Sequence, residues 1–264
     1  MSSFQTIVDA DAEAMSRRAA DLMVERIRAS PDLLMCVATG STPTRAYEHL
    51  AEKRSEEPRL FDRMRVLKLD EWGGLPSEHP GSCETYVRRL ITGPLGISAG
   101  RYITFSGDAA DPAAECDRVR ELLRQHGPID LCVLGLGING HLGLNEPADQ
   151  LSPGPHVATL SEQTRQHSMI RDANPPVRFG LTLGMGDLLR SRQILLLVSG
   201  AAKRVALRRL ISDRLVSTVF PASFLLLHGN VTCLCDREAA ACAVESSPGF
   251  SETSRRTPTT ASCK

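Results

Sequence analysis

A histidine and a glutamate, His141 and Glu146, lie in the most glycine-crowded stretch of this chain, LCVLGLGINGHLGLNEP from Leu131 to Pro147. Imidazole changes protonation near neutral pH, and a carboxylate beside it can orient the ring or stabilise its charge. The pair therefore reads as acid–base machinery, with Asn139 two residues before the histidine. Gly135, Gly137, Gly140 and Gly143 surround these groups and let the backbone approach a ligand. The plain alternative is a tight turn whose histidine only caps a loop. Residues 135–140 also spell G-x-G-x-x-G, but as a dinucleotide fingerprint that motif must open a helix inside a βαβ unit. Pro147, Pro153 and Pro155 follow too closely for a long helix, and no second strand ends in an acid at the required distance. No dinucleotide is expected. His141 and Glu146 also lack a third ligand at recognisable spacing, so no metal is expected.

Three other places bring polar chemistry to the end of an apolar run. Leu33–Ala38 leads into Thr39-Gly40-Ser41-Thr42-Pro43, where a proline preceded by hydroxyl residues marks a helix N-terminus. Free backbone N–H groups and the Ser41 and Thr42 hydroxyls suit a phosphate there, although an ordinary capped helix has the same spelling. No Walker loop is present. Met64–Leu69 delivers Asp70-Glu71-Trp72, of which one carboxylate can face a site while the other orients its neighbours. A lone aspartate after a strand is commonly a turn former. Gln193–Val198 ends in Ser199-Gly200, and Lys203 sits in the first turn of the next helix, placed to neutralise a phosphate or to be solvated at the surface.

These groups need a frame that collects strand ends, and the chain spells one. Asp9 or Asp11 can cap a helix carrying Met15, Ala19, Leu22, Met23 and Ile27, which ends before Pro31. Further helices are expected over Pro80–Ile91, Pro112–His126 and Pro221–His228, and further strands over Tyr102–Phe105, Leu131–Leu134 and Val231–Cys235. Alternating strands and helices predict an α/β fold, an open and mainly parallel sheet with helices on both faces. One domain is expected over 1–236. Ala148–Arg178 loses periodicity, holds four prolines (Pro153, Pro155, Pro175 and Pro176) and carries Arg165, His167 and Arg171, so a lid is expected over about 148–178. Residues 244–264 turn to Ser, Thr, Pro and Arg and read as a disordered tail.

Lys and Arg number 31 against 31 Asp and Glu, which recommends neither nucleic acid nor an anionic membrane as partner. No apolar run approaches the length of a membrane span, and the first residues lack the regions of a signal peptide. The 8 cysteines include no C-x-x-C pair, and Cys36, Cys132, Cys233 and Cys235 lie in apolar runs, as reduced thiols of a cytoplasmic protein would.

ATGSTPTRAY (38–47), LKLDEWGGLP (67–76), HPGSCETY (79–86) and GLGINGHLGLNEP (135–147) together resemble the glucosamine-6-phosphate deaminase family, in matching order from about residue 9 to 236. Their wording is closest to its galactosamine-6-phosphate isomerase/deaminase branch. The resemblance implies a Rossmann-like sheet and a sugar-phosphate substrate. The implied reaction opens an amino-sugar 6-phosphate, isomerises it from aldose to ketose and releases ammonia without a cofactor. By matching motifs, Asp70 would move a proton between C2 and C1, and His141 would assist ring opening with Glu146 positioning it. Gly40, Ser41, Thr42 and Lys203 would hold the phosphate.

Three departures bear on these roles. The family's usual aspartate two residues before the histidine is Asn139 here. The lid arginine that binds phosphate falls opposite Ile170, so Arg171 takes its place only through a shift of one residue. Basic residues that some bacterial members use for allosteric activation stand here as His156 and Ala158, so activation by an acetylated sugar phosphate is not expected. Two rival functions share such a sheet. A 6-phosphogluconolactonase typically carries Asp-Glu-Arg where Asp70-Glu71-Trp72 stands, and lacks Asn-Glu-Pro after the histidine. A non-catalytic sugar-phosphate sensor would not need Asp70, His141 and Glu146 together. The choice between galactosamine and glucosamine 6-phosphate, and assembly into a homo-oligomer, are left open by the sequence.

Overall fold

Asp11 starts the first long helix, its carboxylate accepting the Ala14 N–H at 2.8 Å. The computed structural model describes residues 3–241, so the expected tail over 244–264 lies outside the described residues. Ahead of that helix runs an edge strand that the polar alternation SFQTIVD did not announce, β1 (Ser3–Asp9). The chain continues through α1 (Ala12–Ala29), β2 (Leu34–Val37), α2 (Ser41–Glu56), β3 (Arg65–Lys68) and β4 (Asp70–Trp72). The stretch read as one helix over Pro80–Ile91 is instead α3 (Cys83–Val87), a π-helical turn over Arg88–Thr92 and α4 (Gly93–Leu95). There follow β5 (Tyr102–Ile103), α5 (Pro112–His126), β6 (Leu131–Gly135), β7 (His156–Thr159), α6 (Glu162–Arg165) and β8 (Phe179–Thr182). The last elements are α7 (Met185–Leu189), β9 (Ile194–Val198), α8 (Arg204–Ser212), a 3₁₀ stretch over Pro221–Leu227, β10 (Asn230–Asp236) and α9 (Arg237–Ala240).

The main sheet has seven strands in the order β1-β10-β9-β6-β2-β3-β5, and its pairings are parallel throughout. Helices cover both faces, as the alternation of elements predicts. Met23 of α1, Tyr47 and Leu50 of α2 and Val87 of α3 pack on one side, and Val119 of α5, Leu188 of α7 and Leu207 of α8 on the other. The central strands are therefore apolar on successive residues, as in Ile194-Leu195-Leu196-Leu197-Val198. From β2 the chain builds outward to β3 and β5, then returns with β6 on the opposite side of β2. That reversal opens a crevice beyond the carboxyl ends of β2 and β6, where open parallel sheets bind ligands.

Asp70–Trp72 leave the main sheet and start a second one. β4 pairs antiparallel with β8, and β8 with β7, so Asp70 lies opposite Thr182 and Trp72 opposite Gly180. The segment 148–178, expected to lack strong elements, thus contains a strand and the short helix α6. It also buries Ala158, Leu160, Ile170 and Val177 against Trp72 and Leu75. The anchors are spaced too irregularly to show a period, and β8 supplies the backbone partners that the segment cannot supply itself. Among the described residues no helix is long and apolar enough to cross a membrane.

Candidate active site

A cavity of about 490 Å³ fills the crevice at the strand ends. Gly40, Ser41 and Thr42 enter it after β2, Asp70 after β3, His141 after β6 and Lys203 after β9. Four segments far apart in sequence therefore meet because each follows a parallel strand pointing the same way.

The loop after β6 is a tight turn and opens no helix before Pro147. Gly137 N–H donates to the His141 carbonyl and Gly140 N–H to the Gly137 carbonyl, both at 3.0 Å. Gly140 holds a φ of +88°, which a side chain would strain. A Cβ on Gly137 would lie 2.4 Å from the His141 ring, so only glycine lets the imidazole fold back over the turn. Gly137→Ala is expected to push the ring from its place and lower kcat at least about tenfold while the fold persists. Circular dichroism with steady-state kinetics checks this, and an unchanged kcat would show that the ring position is immaterial.

Asn139 does not flank the ring. Its carbonyl oxygen accepts the His141 backbone N–H at 3.1 Å and its amide donates to Glu146 Oε2 at 2.8 Å. It therefore positions the turn and the glutamate from outside the cavity. Glu146 Oε2 stands 3.6 Å from His141 Nδ1, an ion-pair distance too long for a hydrogen bond. Glu146 Oε1 accepts the hydroxyls of Ser161 and Thr164, which belong to the expected lid. Burial opposes ionisation of Glu146, but the imidazole, the Thr164 hydroxyl and the Asn139 amide outweigh it and hold the carboxyl down at about 2. Glu146 thus joins the turn after β6 to the segment above it.

Asp70 is 7% exposed, and among the described residues its carboxyl meets only the weakly donating Cys83 thiol, at 3.9 Å. Burial and the neighbouring negative charge of Glu71 push it up to about 7, with Lys68 pulling the other way. Behind it lies a group that sequence reasoning missed. Lys68 is fully buried, its Nζ donating to Glu71 at 2.5 Å, to Glu84 at 2.9 Å and to the Phe105 carbonyl at 3.0 Å. Glu71 in turn accepts the backbone N–H groups of Trp72, Cys83 and Glu84, each at 2.8 Å. The signal was available: one lysine inside the apolar run Met64–Leu69 must find carboxylates or leave the core.

After β2, Gly40 is the N-cap of α2, so Ser41 and Thr42 form its first turn with free backbone N–H groups. Pro43 falls at the third helical position instead of the first, still within the turn that needs no N–H. Lys203 is half-buried, its pKa lowered by burial, and no carboxylate pairs with it among the described residues. A partly desolvated cation without such a partner, lining the same cavity as a helix N-terminus, makes a place that suits an anion. Arg171 is not part of it. Its guanidinium is exposed, lies 3.3 Å from Asp172 and does not line the cavity, because Ile170 turns inward to the small apolar cluster.

A parallel sheet that gathers Asp70, His141 and Lys203 into one cavity at its switch point has the architecture of an α/β enzyme acting on a small molecule. The family follows from comparison with known proteins. The family model described as "Glucosamine-6-phosphate isomerases/6-phosphogluconolactonase" matches residues 9–233, and the chain belongs to that family. It is 44% identical over 221 residues to "Putative deaminase AgaI" of Escherichia coli (strain K12), covering 84% of this chain and 87% of that one. It is 37% identical over 230 residues to "Glucosamine-6-phosphate deaminase 1" of Bacillus subtilis (strain 168), covering 86% and 95%. Among solved structures, a monomeric glucosamine-6-phosphate deaminase superimposes with a TM-score of 0.86 at 36% identity, over 90% of this chain and 99% of that one. A 6-phosphogluconolactonase from Trypanosoma cruzi reaches 0.76 at 22% identity over 92% and 98%, a likeness of fold.

Proposed function

We propose that this protein is an amino-sugar 6-phosphate deaminase that couples aldose–ketose isomerisation to release of ammonia. One observation carries the reading: a buried carboxyl with a pKa of about 7, Asp70, shares a single cavity with His141 and with Lys203, to which no carboxylate is paired among the described residues. A base poised near neutrality can take a proton from carbon and return it, which a fully ionised surface aspartate does poorly.

In this mechanism Lys203 and the first turn of α2 hold the phosphate, which fixes the sugar's other end among the acid–base groups. His141 carries the proton of the C1 hydroxyl to the ring oxygen, and the ring opens to the aldehyde. Asp70 then removes the C2 proton while His141 protonates the C1 oxygen, giving an enolamine. Return of the proton from Asp70 to C1 leaves an iminium at C2. Water adds there, ammonia departs, and the remaining proton goes back to His141. Each turnover consumes water and yields a ketohexose 6-phosphate with ammonia. Glu146 stabilises the imidazolium that forms in passing, and Asn139 holds Glu146 in place.

Galactosamine 6-phosphate is the proposed first substrate, on the wording of the four sequence motifs, with glucosamine 6-phosphate second. Initial rates of ammonia release from the two epimers test the order. Faster turnover of the glucosamine epimer would reverse it, and no ammonia from either would remove the function. Because Asp70 must be ionised to act, kcat/KM should rise with pH through about 7. A profile flat from pH 5.5 to 8 would take the base role from Asp70.

The segment over about 148–178 acts as a lid over the bound sugar phosphate. Glu146 is tied to Ser161 and Thr164, and Gln163, Thr164 and Gln166 line the cavity. Hydrogen exchange across 161–171 should slow when a sugar-phosphate analogue binds. Equal exchange with and without saturating analogue would contradict a lid.

A further inference from the structure

The segment above the cavity presents an imidazole where a guanidinium was expected. His167 and Lys203 line the same cavity, while Arg171 stands outside it. We propose that His167 is a substrate-binding residue, its Nε2–H meeting the phosphate of the sugar phosphate across from Lys203. The proposal rests on the sugar-phosphate reading of the site and adds to it a ligand from the lid.

The ring is held in one orientation. Its Nδ1 accepts the Met169 N–H at 3.3 Å, so the neutral ring carries its proton on Nε2 and keeps that donor for the cavity. The ring lies tilted against Trp72, with centroids 5.7 Å apart. Its backbone closes the turn: His167 N–H donates to the Thr164 carbonyl at 3.0 Å, and its own carbonyl accepts the N–H groups of Ile170 and Arg171 at 2.9 Å. Ile170, 2% exposed, pins that turn into the apolar cluster containing Trp72. A side chain three residues earlier on the turn is thereby aimed inward, and the next residue along, Arg171, is aimed out.

The electrostatic setting agrees with an anion between these groups. Burial first, and then the positive fields of His141 and Lys203, lower the pKa of His167. His141 and Lys203 thus stand close enough to disfavour a charge on His167, and no carboxylate is paired to His167 or Lys203 among the described residues. An incoming phosphate relieves that repulsion and accepts from His167 and Lys203 together.

The test titrates inorganic phosphate into the full-length protein, following the fluorescence of Trp72, the single tryptophan, and comparing midpoints rather than amplitudes. His167→Ala should weaken phosphate about five- to tenfold, His167→Gln, which keeps an N–H donor, should recover part of that loss, and Arg171→Ala should stay within about twofold. Lys203→Ala serves as the positive control, with a larger loss. In kinetics with the amino-sugar phosphate, His167→Ala should raise KM more than it lowers kcat. Unchanged phosphate midpoints and KM in His167→Ala, at unchanged Tm, would overturn the proposal while leaving the deaminase reading intact. A loss of affinity in Arg171→Ala matching that in Lys203→Ala, with His167→Ala silent, would overturn it too. A His167-dependent phosphate site in a protein that deaminates neither epimer would uphold the ligand and reject the function.

Discussion

Replacing Asp70 by asparagine should lower kcat by about 10²–10⁴-fold while substrate binding largely survives. The carboxamide keeps the shape but cannot accept the C2 proton, and among the described residues no other carboxylate lines the cavity. The same variant should gain stability at alkaline pH. The folded protein raises the Asp70 pKa to about 7 from a reference value of 3.8, so it binds this proton more tightly than the unfolded chain does. The stabilising effect of that proton is fully present below the reference value and is lost as pH rises through about 7. Above that pH the buried charge costs the wild type a few kcal/mol that the asparagine variant does not bear. Urea midpoints at pH 5 and pH 8 check the sign. A variant less stable than wild type by the same margin at both values would deny that Asp70 is ionised against its environment.

Lys68→Ala should destabilise the protein by about 3–5 kcal/mol, the cost of leaving buried carboxylates without their cation. Burial opposes the charge on Lys68, but Glu71 and Glu84 more than offset that and keep its pKa raised. The network also reaches Asp70, because Lys68 tempers the repulsion from Glu71. In Lys68→Met, which fills more of the space, the rising limb of kcat/KM should therefore move to higher pH. Chemical denaturation and a pH–rate profile read the two effects separately. A fall in stability below about 1 kcal/mol would mean that Glu71 and Glu84 are not held by this lysine.

Legibility in the sequence followed local strength of signal. The carboxyl ends of β2, β3, β6 and β9 could be read because each strand is an apolar run that stops at a polar turn, and a parallel sheet collects such ends on one edge. α1 was legible from its Asp11 cap and the spacing of Met15, Ala19, Met23 and Ile27, all of which are buried. β1 was not, since Ser3, Gln5 and Thr6 give no apolar run and its pairing with β10 is contributed by the other end of the chain. The β4–β8–β7 sheet was hidden for a similar reason: three short strands, each marginal alone, are fixed by one another and by the cluster around Trp72. In the site, residue types carried Asp70, His141, Glu146 and Lys203 to one place, but not the direction of each side chain. Asn139 turned to Glu146 instead of the imidazole, and burial of Ile170 sent Arg171 to solvent and His167 to the cavity. Such choices depend on packing between segments distant in sequence, which local spacing does not encode.

The central claim is that Asp70 moves a proton from C2 to C1 of an amino-sugar 6-phosphate that then loses ammonia. Turnover of galactosamine and glucosamine 6-phosphates in deuterium oxide, with ammonia measured and the product analysed by NMR, tests it most directly. The account predicts ammonia in equal amount to ketohexose 6-phosphate, deuterium at C1 of the product in the fraction of turnovers in which the Asp70 carboxyl exchanges its proton with solvent before returning it, and loss of ammonia and label together in Asp70→Asn. Hydrolysis of 6-phosphogluconolactone with no ammonia from either amino sugar, or an Asp70→Asn variant that still labels C1 at the wild-type rate, would contradict it.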